Sequence, residues 1–389
     1  MFPYFFAEGI WQERLGNKFV TFGRSERNQL RGHDTSDVMI TRKSQHITRL
    51  TETVLFTKTK RMNSNGELIL ASNWHLLFRR TIMCLLSAVV LIGLNTIVAS
   101  PRAAQQTNLP DAVQTFPVGV PPRGLVSDGT NLWITNLTTN NVVEVRESDG
   151  TVLGSFPAGG ATVYGAFDGA NIWVTNILVN KVSKIRVSDG QLLGSFRVGQ
   201  SPDGILFDGT SIWVANNGNN TVTKLTLDGI SEGTFRVGHA PNQLTFDGTS
   251  IWVTNIDDDT VTKLLASDGT NEGTFNTGSA PLGIVFDGTS IWVADSLDNT
   301  LTKLRARDGN LQGTPGVGTY PWGLAFDGNN VWVANADDNT AMRIGRRDGA
   351  ILQVYPVQTD PDDVIFDGSS IWVANLQSNS VTKISRRSQ

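Results

Sequence analysis

Side chains able to do acid–base or covalent chemistry are scarce in the most regular part of this sequence. From residue 107 onward there is one histidine, His239, and four glutamates, Glu144, Glu147, Glu232 and Glu272, while the single cysteine, Cys84, falls earlier. A charge-relay set needs a nucleophile, a base and a carboxylate that orients the base, and one histidine with unknown neighbours does not build it. No Gly-rich segment leads from a strand into a helix, so no phosphate cradle is expected. Oxygen ligands are more plentiful. Asp257-Asp258-Asp259 and Asp337-Asp338 are acidic runs that suit Ca2+ or Mg2+, but their spacing matches no dedicated calcium loop and similar runs are common surface turns. No catalytic residue and no cofactor is assigned on these grounds, and a divalent metal stays open.

These residues hang on a repeat. The stretch Phe286-Asp287-Gly288-Thr289-Ser290-Ile291-Trp292-Val293-Ala294-Asp295 recurs with its tryptophan at Trp133, Trp173, Trp213, Trp252, Trp292, Trp332 and Trp372, in steps of 40, 40, 39, 40, 40 and 40. A fixed period of this size with several short strands per unit marks a propeller or a solenoid. In the fifth unit, Leu282 to Phe286 reads as strand a, Asp287-Gly288 as a tight turn, Ser290 to Asp295 as strand b and Thr300 to Arg305 as strand c. A second turn at Asp308-Gly309 leads to strand d, which in the fourth unit is Glu272 to Asn276. A β-helix would need parallel strands and shorter coils, so the pattern predicts an all-β, seven-bladed β-propeller with four antiparallel strands per blade. The last unit stops at its strand c, Ser380 to Ile384, and Val113 to Val118 matches the d strands. An N-terminal strand d is therefore expected to close the ring and leave no open edge.

The motif tryptophans are expected as core wedges between blades, not as a sugar platform. The residue three after each is Asn136, Asn176, Asn216, Asn255, Asp295, Asn335 or Asn375, and the residue seven after is Asn or Asp259, which points to loop-shaping hydrogen bonds.

Charge divides the chain. Residues 1–80 carry 13 Lys+Arg against 7 Asp+Glu, net +6, and residues 81–389 carry 19 against 29, net −10, which sum to the overall −4. An acidic body with no basic stripe excludes nucleic acid as an expected partner. Residues 1–80 read as a poorly structured basic leader, or as the product of a misassigned start with initiation near Met62. Arg79-Arg80 then precede an apolar run, Thr81 to Ala99, and a small-residue exit, so residues 81–100 read as a signal peptide or a membrane anchor. Residues 101–111 form a linker, 112–385 the propeller and 386–389 a tail. The propeller is expected to be secreted or extracytoplasmic, with membrane contact only through residues 81–99 if that run is retained.

At FDGTSIWVAN, TVTKL, DG and GTF, the repeats resemble those of bacterial extracytoplasmic propellers related to the streptogramin B (virginiamycin B) lyase and the NHL-type repeat proteins. The resemblance spans Val113 to Ser385. It implies a seven-bladed fold and, for the lyase, a metal-dependent elimination carried by His and Glu at one mouth of the channel, with a Glu closing strand b. Here that position is Asn in six units and Asp295 in one, and His239 has no second histidine beside it.

Specificity in a ring of near-identical units must come from residues that break the repeat. The position five before each strand-a Asp reads Arg123, Val163, Asp203, Asn242, Leu282, Trp322 and Asp362. Either these positions drift on an exposed rim, or they line the mouth of a ligand funnel, where the loops of a propeller carry function. Trp322 is the one tryptophan there outside the seven-fold set, with Tyr320 beside it; Asp360, Asp362 and Asp363 follow in the next unit and Arg123 in the unit after. A surface ion pair between Asp362 and Arg123 is the plainer account, worth ~1 kcal/mol at most. The candidate ligand-binding residues are Arg123, Tyr164, Asp203, His239, Asn242, Tyr320, Trp322, Asp362 and Asp363. They suit a binding or scaffold module for a small molecule, peptide or protein; the alternative is a metal-dependent lyase or hydrolase acting on a cyclic ester.

Overall fold

A computed structural model describes residues 111–385 in full and, before them, the backbone of five short strands. Phe6–Ala7, Ile10–Leu15 and Lys18–Phe22 pair as one antiparallel sheet, and Arg61–Met62 pairs with Leu68–Ile69. The expected signal or anchor over 81–100 and the linker up to residue 110 lie outside the described residues. The chain divides into a unit over 1–106 and a second over 107–389.

Seven four-stranded antiparallel sheets make up that second unit. Strand a runs, from blade one to blade seven, over Leu125–Ser127, Thr162–Phe167, Pro202–Phe207, Pro241–Phe246, Pro281–Phe286, Pro321–Phe326 and Pro361–Phe366. In blade five, b, c and d are Ser290–Asp295, Thr300–Arg305 and Leu311–Gly313. The ring closes as expected. Ala112–Pro117 pairs antiparallel with Ser380–Ser385 and completes the seventh sheet.

One aspartate explains most of the repeat. Asp287 Oδ1 accepts the N–H groups of Thr289 and Ser290, which fixes the a–b turn, and Gly288 supplies the positive φ of +90° that the turn needs. Its Oδ2 accepts from Trp292 Nε1, and the same Asp-to-Trp bond, 2.6 to 2.8 Å, recurs in all seven blades. Each indole is fully buried and packs on strands b and c of the following blade, as Trp292 does on Val331, Val333 and Ile344. These are the expected wedges, and the bond lets the indole N–H enter the core satisfied.

Across the blade interface, strand-c lysines lie over the motif indoles, Lys303 Nζ 4.7 Å from the Trp292 ring, and reach backbone carbonyls of the next blade, as Lys303 does to Arg346 O at 2.7 Å. Asn180, Asn220, Asn299 and Asn339, seven after their tryptophans, take left-handed backbone and latch neighbouring blades: Asn299 Oδ1 accepts from Tyr320 N, and Asn339 Oδ1 from Asp360 N. Those three after the tryptophan bond mainly to strand-c hydroxyls, as Asn216 Nδ2 does to Thr223 Oγ1.

The short step between blades three and four is confined to the c–d turn. Lys224 pairs with Gly233 where Lys263 pairs with Gly273, one residue fewer, while the pairing of b with c keeps its register. A deletion within strand b would have turned every later side chain onto the wrong face.

Candidate functional site

Strand a opens with a bulge in blades two to seven. In blade three Pro202 faces Asn216 and Ile205 faces Val214, so three steps on strand a match two on strand b. The same shift recurs around the ring. A bulge re-aims the side chains it carries. Its second and third residues include Asp203, Asn242, Trp322, Asp362, Asp363 and Tyr164, with Arg123 at the equivalent place in blade one. The pairing of Pro202 with Asn216 puts them at the end of the ring that also holds the b–c loops. Adjoining bulges crowd together. A Cβ at Gly204 would stand 2.2 Å from Asn242 O, and one at Gly283 2.0 Å from Trp322 O, so both positions require glycine. Strand-b threonines tie the bulges of successive blades, Thr175 Oγ1 donating to Asp203 O at 2.7 Å and Thr254 Oγ1 to Leu282 O at 3.0 Å.

The position that reads Arg, Val, Asp, Asn, Leu, Trp and Asp is not an exposed rim. Arg123, Asp203, Asn242 and Asp362 are 3, 3, 2 and 1 % exposed, and Trp322 is half-buried. The expected surface ion pair is a buried one: Arg123 NH1 donates to both Asp362 oxygens at 2.8 Å. Nor is Trp322 unpacked. The Arg123 guanidinium carbon lies 4.5 Å from its ring centre and 5.7 Å from that of Tyr164, and Trp322 Nε1 donates to the Tyr164 hydroxyl at 3.2 Å. Tyr320, in left-handed backbone at φ +56°, sets its ring 5.6 Å from the indole. Blades one, two, six and seven thereby meet at the axis.

A second contact joins blades three and four, where Asn242 Nδ2 donates to Asp203 Oδ2 at 2.8 Å. Asp363 accepts from Leu125 N and so ties blade seven to blade one. His239 stands apart. It is exposed, and its ring Nδ1 and its backbone N–H both bond to Asp258. Asp257 and Asp259 flank that aspartate in the chain. Among the described residues, no three His, Cys, Asp or Glu side chains converge so as to hold a metal ion.

One guanidinium faces several buried carboxylates. Burial pushes the Asp203 and Asp363 carboxyls up to about 6, against the opposing pull of Arg123, the Asn242 bond and backbone N–H groups. Burial also holds Asp362 above the ordinary carboxylate range, with Arg123 lowering it and Asp360, Asp363 and Asp203 raising it further. Burial alone would lower Arg123; Asp362 first, then Tyr164, Asp203 and Asp360, hold it raised and charged. Both partners of the ion pair shift upward. The cation keeps its charge because it has several acceptors, and the carboxylates divide a single cation among them. The Tyr164 phenol is raised by burial and stays protonated.

Beneath this layer, one to two residues deeper along strand a, a small space of about 40 Å³ is lined by Tyr164, Gln243, Gly283, Trp322, Leu324 and Asp363 among others. Gln243, Gly283 and Leu324 were not among the sequence candidates. A signal did exist: the third bulge residue is glycine in blades one, three, five and six, and isolated glycines inside strands mark bulges and close backbone approach.

No family model matches the chain, and no curated protein matches it in sequence. Solved structures match its fold. A catalytically inactive variant of virginiamycin B lyase from Staphylococcus aureus with quinupristin aligns at 20% identity and a TM-score of 0.62, covering 71% of this chain and 99% of that one. A streptogramin B lyase aligns at 22% identity and 0.62, covering 71% and 98%. Hydrazine synthase from Kuenenia stuttgartiensis aligns at 18% identity and 0.62, covering 72% and 98%. At these identities the likeness is one of fold, and the resemblance to the streptogramin lyase propellers holds at that level.

Proposed function

We propose that this protein is an exported, non-catalytic ligand-binding propeller whose site is the axial layer formed by Arg123, Tyr164, Asp203, Asn242, Trp322, Asp362 and Asp363. One observation carries the proposal: the residues that depart from the repeat in blades one, two, six and seven touch one another at the axis, above an empty space lined by polar groups. Seven-fold packing does not call for such a set, since Val163 and Leu282 fill the same position in other blades. Export is proposed from the basic, apolar and small-residue pattern at 79–106. His239 and the acidic b–c loops fall outside the proposed site.

The rival function is a metal-dependent lyase or hydrolase on a cyclic ester, as the lyase fold of two neighbours suggests. A cluster of His and Glu at the mouth would have favoured it, but Asn closes strand b in six blades and Asp295 in the other. A thermal-shift screen of the purified full-length chain against divalent metals, cyclic depsipeptides, sugars and cell-wall fragments tests both. Stabilisation that is lost in Trp322→Ala and Asp362→Ala supports the axial site, and stabilisation retained in both removes it. Conversion of a cyclic depsipeptide to a linear product would replace the binding function with the enzymatic one.

A further inference from the structure

We propose that the bonded pair Asp203 and Asn242, in the axial layer, is a site for an ammonium group, carried by the ammonium ion or a small primary amine. This inference rests on the ligand-binding function above and names its ligand class. The first observation is a pair of acceptors without donors. Asp203 Oδ1 and Asn242 Oδ1 are both buried, and neither has a hydrogen-bond partner among the described residues. They belong to side chains bonded to each other, so the two oxygens are held on adjoining blades. A buried acceptor left unmet costs about 1–3 kcal/mol, and more for a carboxylate, so a donor entering there would relieve a standing penalty. Gln243, next in the chain to Asn242, lines the small space beside the pair.

Charge and shape narrow the class. Arg123 is paired with Asp362 at 2.8 Å, which leaves Asp203 and Asp363 as further acidic groups of the layer without a cation of their own, so above about pH 6 the layer draws positive charge. A primary ammonium has N–H donors and no acceptor, which matches two unpartnered oxygen acceptors; among the buried side-chain atoms without a partner, Arg123 Nε is the one donor. The aromatic wall already holds a cation, since the Arg123 guanidinium stacks on Trp322 and Tyr164. A metal ion fits less well, because among the described residues no three His, Cys, Asp or Glu side chains converge so as to hold one. A space of about 40 Å³ beneath the plug limits the ligand to a few heavy atoms.

The test is calorimetric titration and melting of the full-length chain in ammonium and methylammonium chloride, against sodium and potassium chloride at equal ionic strength. Ammonium and methylammonium are expected to bind and raise the melting temperature, whereas sodium and potassium are not. Asp203→Asn should weaken binding about tenfold or more, since a charge-assisted hydrogen bond is lost. Gln243→Met, at a half-buried position, provides a second reading and should also weaken it while far-ultraviolet circular dichroism stays that of the parent. Tetramethylammonium, which has no N–H, should fail to bind. If all four chlorides act alike, if neither amine binds, or if both variants bind as the parent does, the inference is overturned. Failure of the amines together with a Trp322-dependent hit from the wider screen leaves the binding function standing; no hit of any kind removes both.

Discussion

The indole Nε1 of Trp322, in blade six, donates to the hydroxyl of Tyr164, in blade two, over 3.2 Å and 158 residues of chain. With Arg123 stacked on both rings and paired with Asp362, the bond spans the axis of the ring and caps the space beneath. These side chains therefore contribute both to packing and to the proposed site, and the two roles separate by measurement.

Trp322→Ala should destabilise the protein measurably but less than Trp292→Ala. Trp292 is fully buried, bonded to Asp287 and wedged into blade six, so its truncation is expected to cost ~3–5 kcal/mol. Trp322 is half-buried, and losing its indole removes one hydrogen bond and a cation–π contact, about 1–3 kcal/mol together. Denaturant melts of both variants give the order. Equal losses would make Trp322 ordinary core.

The Arg123–Asp362 pair should behave as a buried unit. Arg123→Met and Asp362→Leu are each expected to cost roughly 3–5 kcal/mol by leaving the partner charge uncompensated, with the double variant losing less than the sum. A double-mutant cycle reads the coupling, and strict additivity would contradict the contact at 2.8 Å.

Stability should depend on pH through Asp203. Its folded carboxyl is raised to about 6 by burial, above the unfolded value of about 3.9, so the native state holds the extra proton between those values. That contribution is complete below about pH 4 and is lost as pH rises through about 6. Turn aspartates such as Asp168 and Asp208 are shifted the other way by hydrogen bonds from their motif tryptophan and backbone N–H groups that outweigh burial, and they are common to parent and variant. Relative to the parent, Asp203→Asn should therefore gain on the order of 2–3 kcal/mol between pH 4 and pH 7.5. Arg123 and Asn242 also face Asp203, and neither titrates in this window; Asp362, whose carboxyl Asp203 helps to raise, relaxes downward in the variant, which changes the difference in the same direction. Parallel pH profiles would count against the buried, proton-holding carboxyl.

Closing the ring should matter as much as any single contact. Deleting residues 112–117 removes the strand paired with Ser380–Ser385 and exposes its edge, so the melting temperature should fall sharply. An unchanged melt would mean that the seam does not hold the ring.

The period revealed the architecture because the forces behind it are local. Asp287, Gly288 and Trp292 lie within one hairpin, and their turn and bond recur wherever those residue types recur. The Asp-to-Trp bond itself went unforeseen, although its five-residue spacing is present in every unit. The axial layer was visible only as a list of departures from the repeat. Burial of Arg123 and Asp362, and the meeting of Trp322 with Tyr164, arise when distant blades close on one axis, and no local pattern encodes that distance. His239, equally irregular in the sequence, falls outside the layer because its entry loop turns it toward Asp258 and solvent.

Hydrogen–deuterium exchange on the full-length chain, with and without methylammonium and each stabilising compound of the screen, tests the axial site most directly. Slowed exchange confined to peptides covering 202–207, 241–246 and 321–326 is the expected result. Protection of the outer d strands or the 257–259 loop, with the strand-a peptides unchanged, would place binding elsewhere and contradict the account.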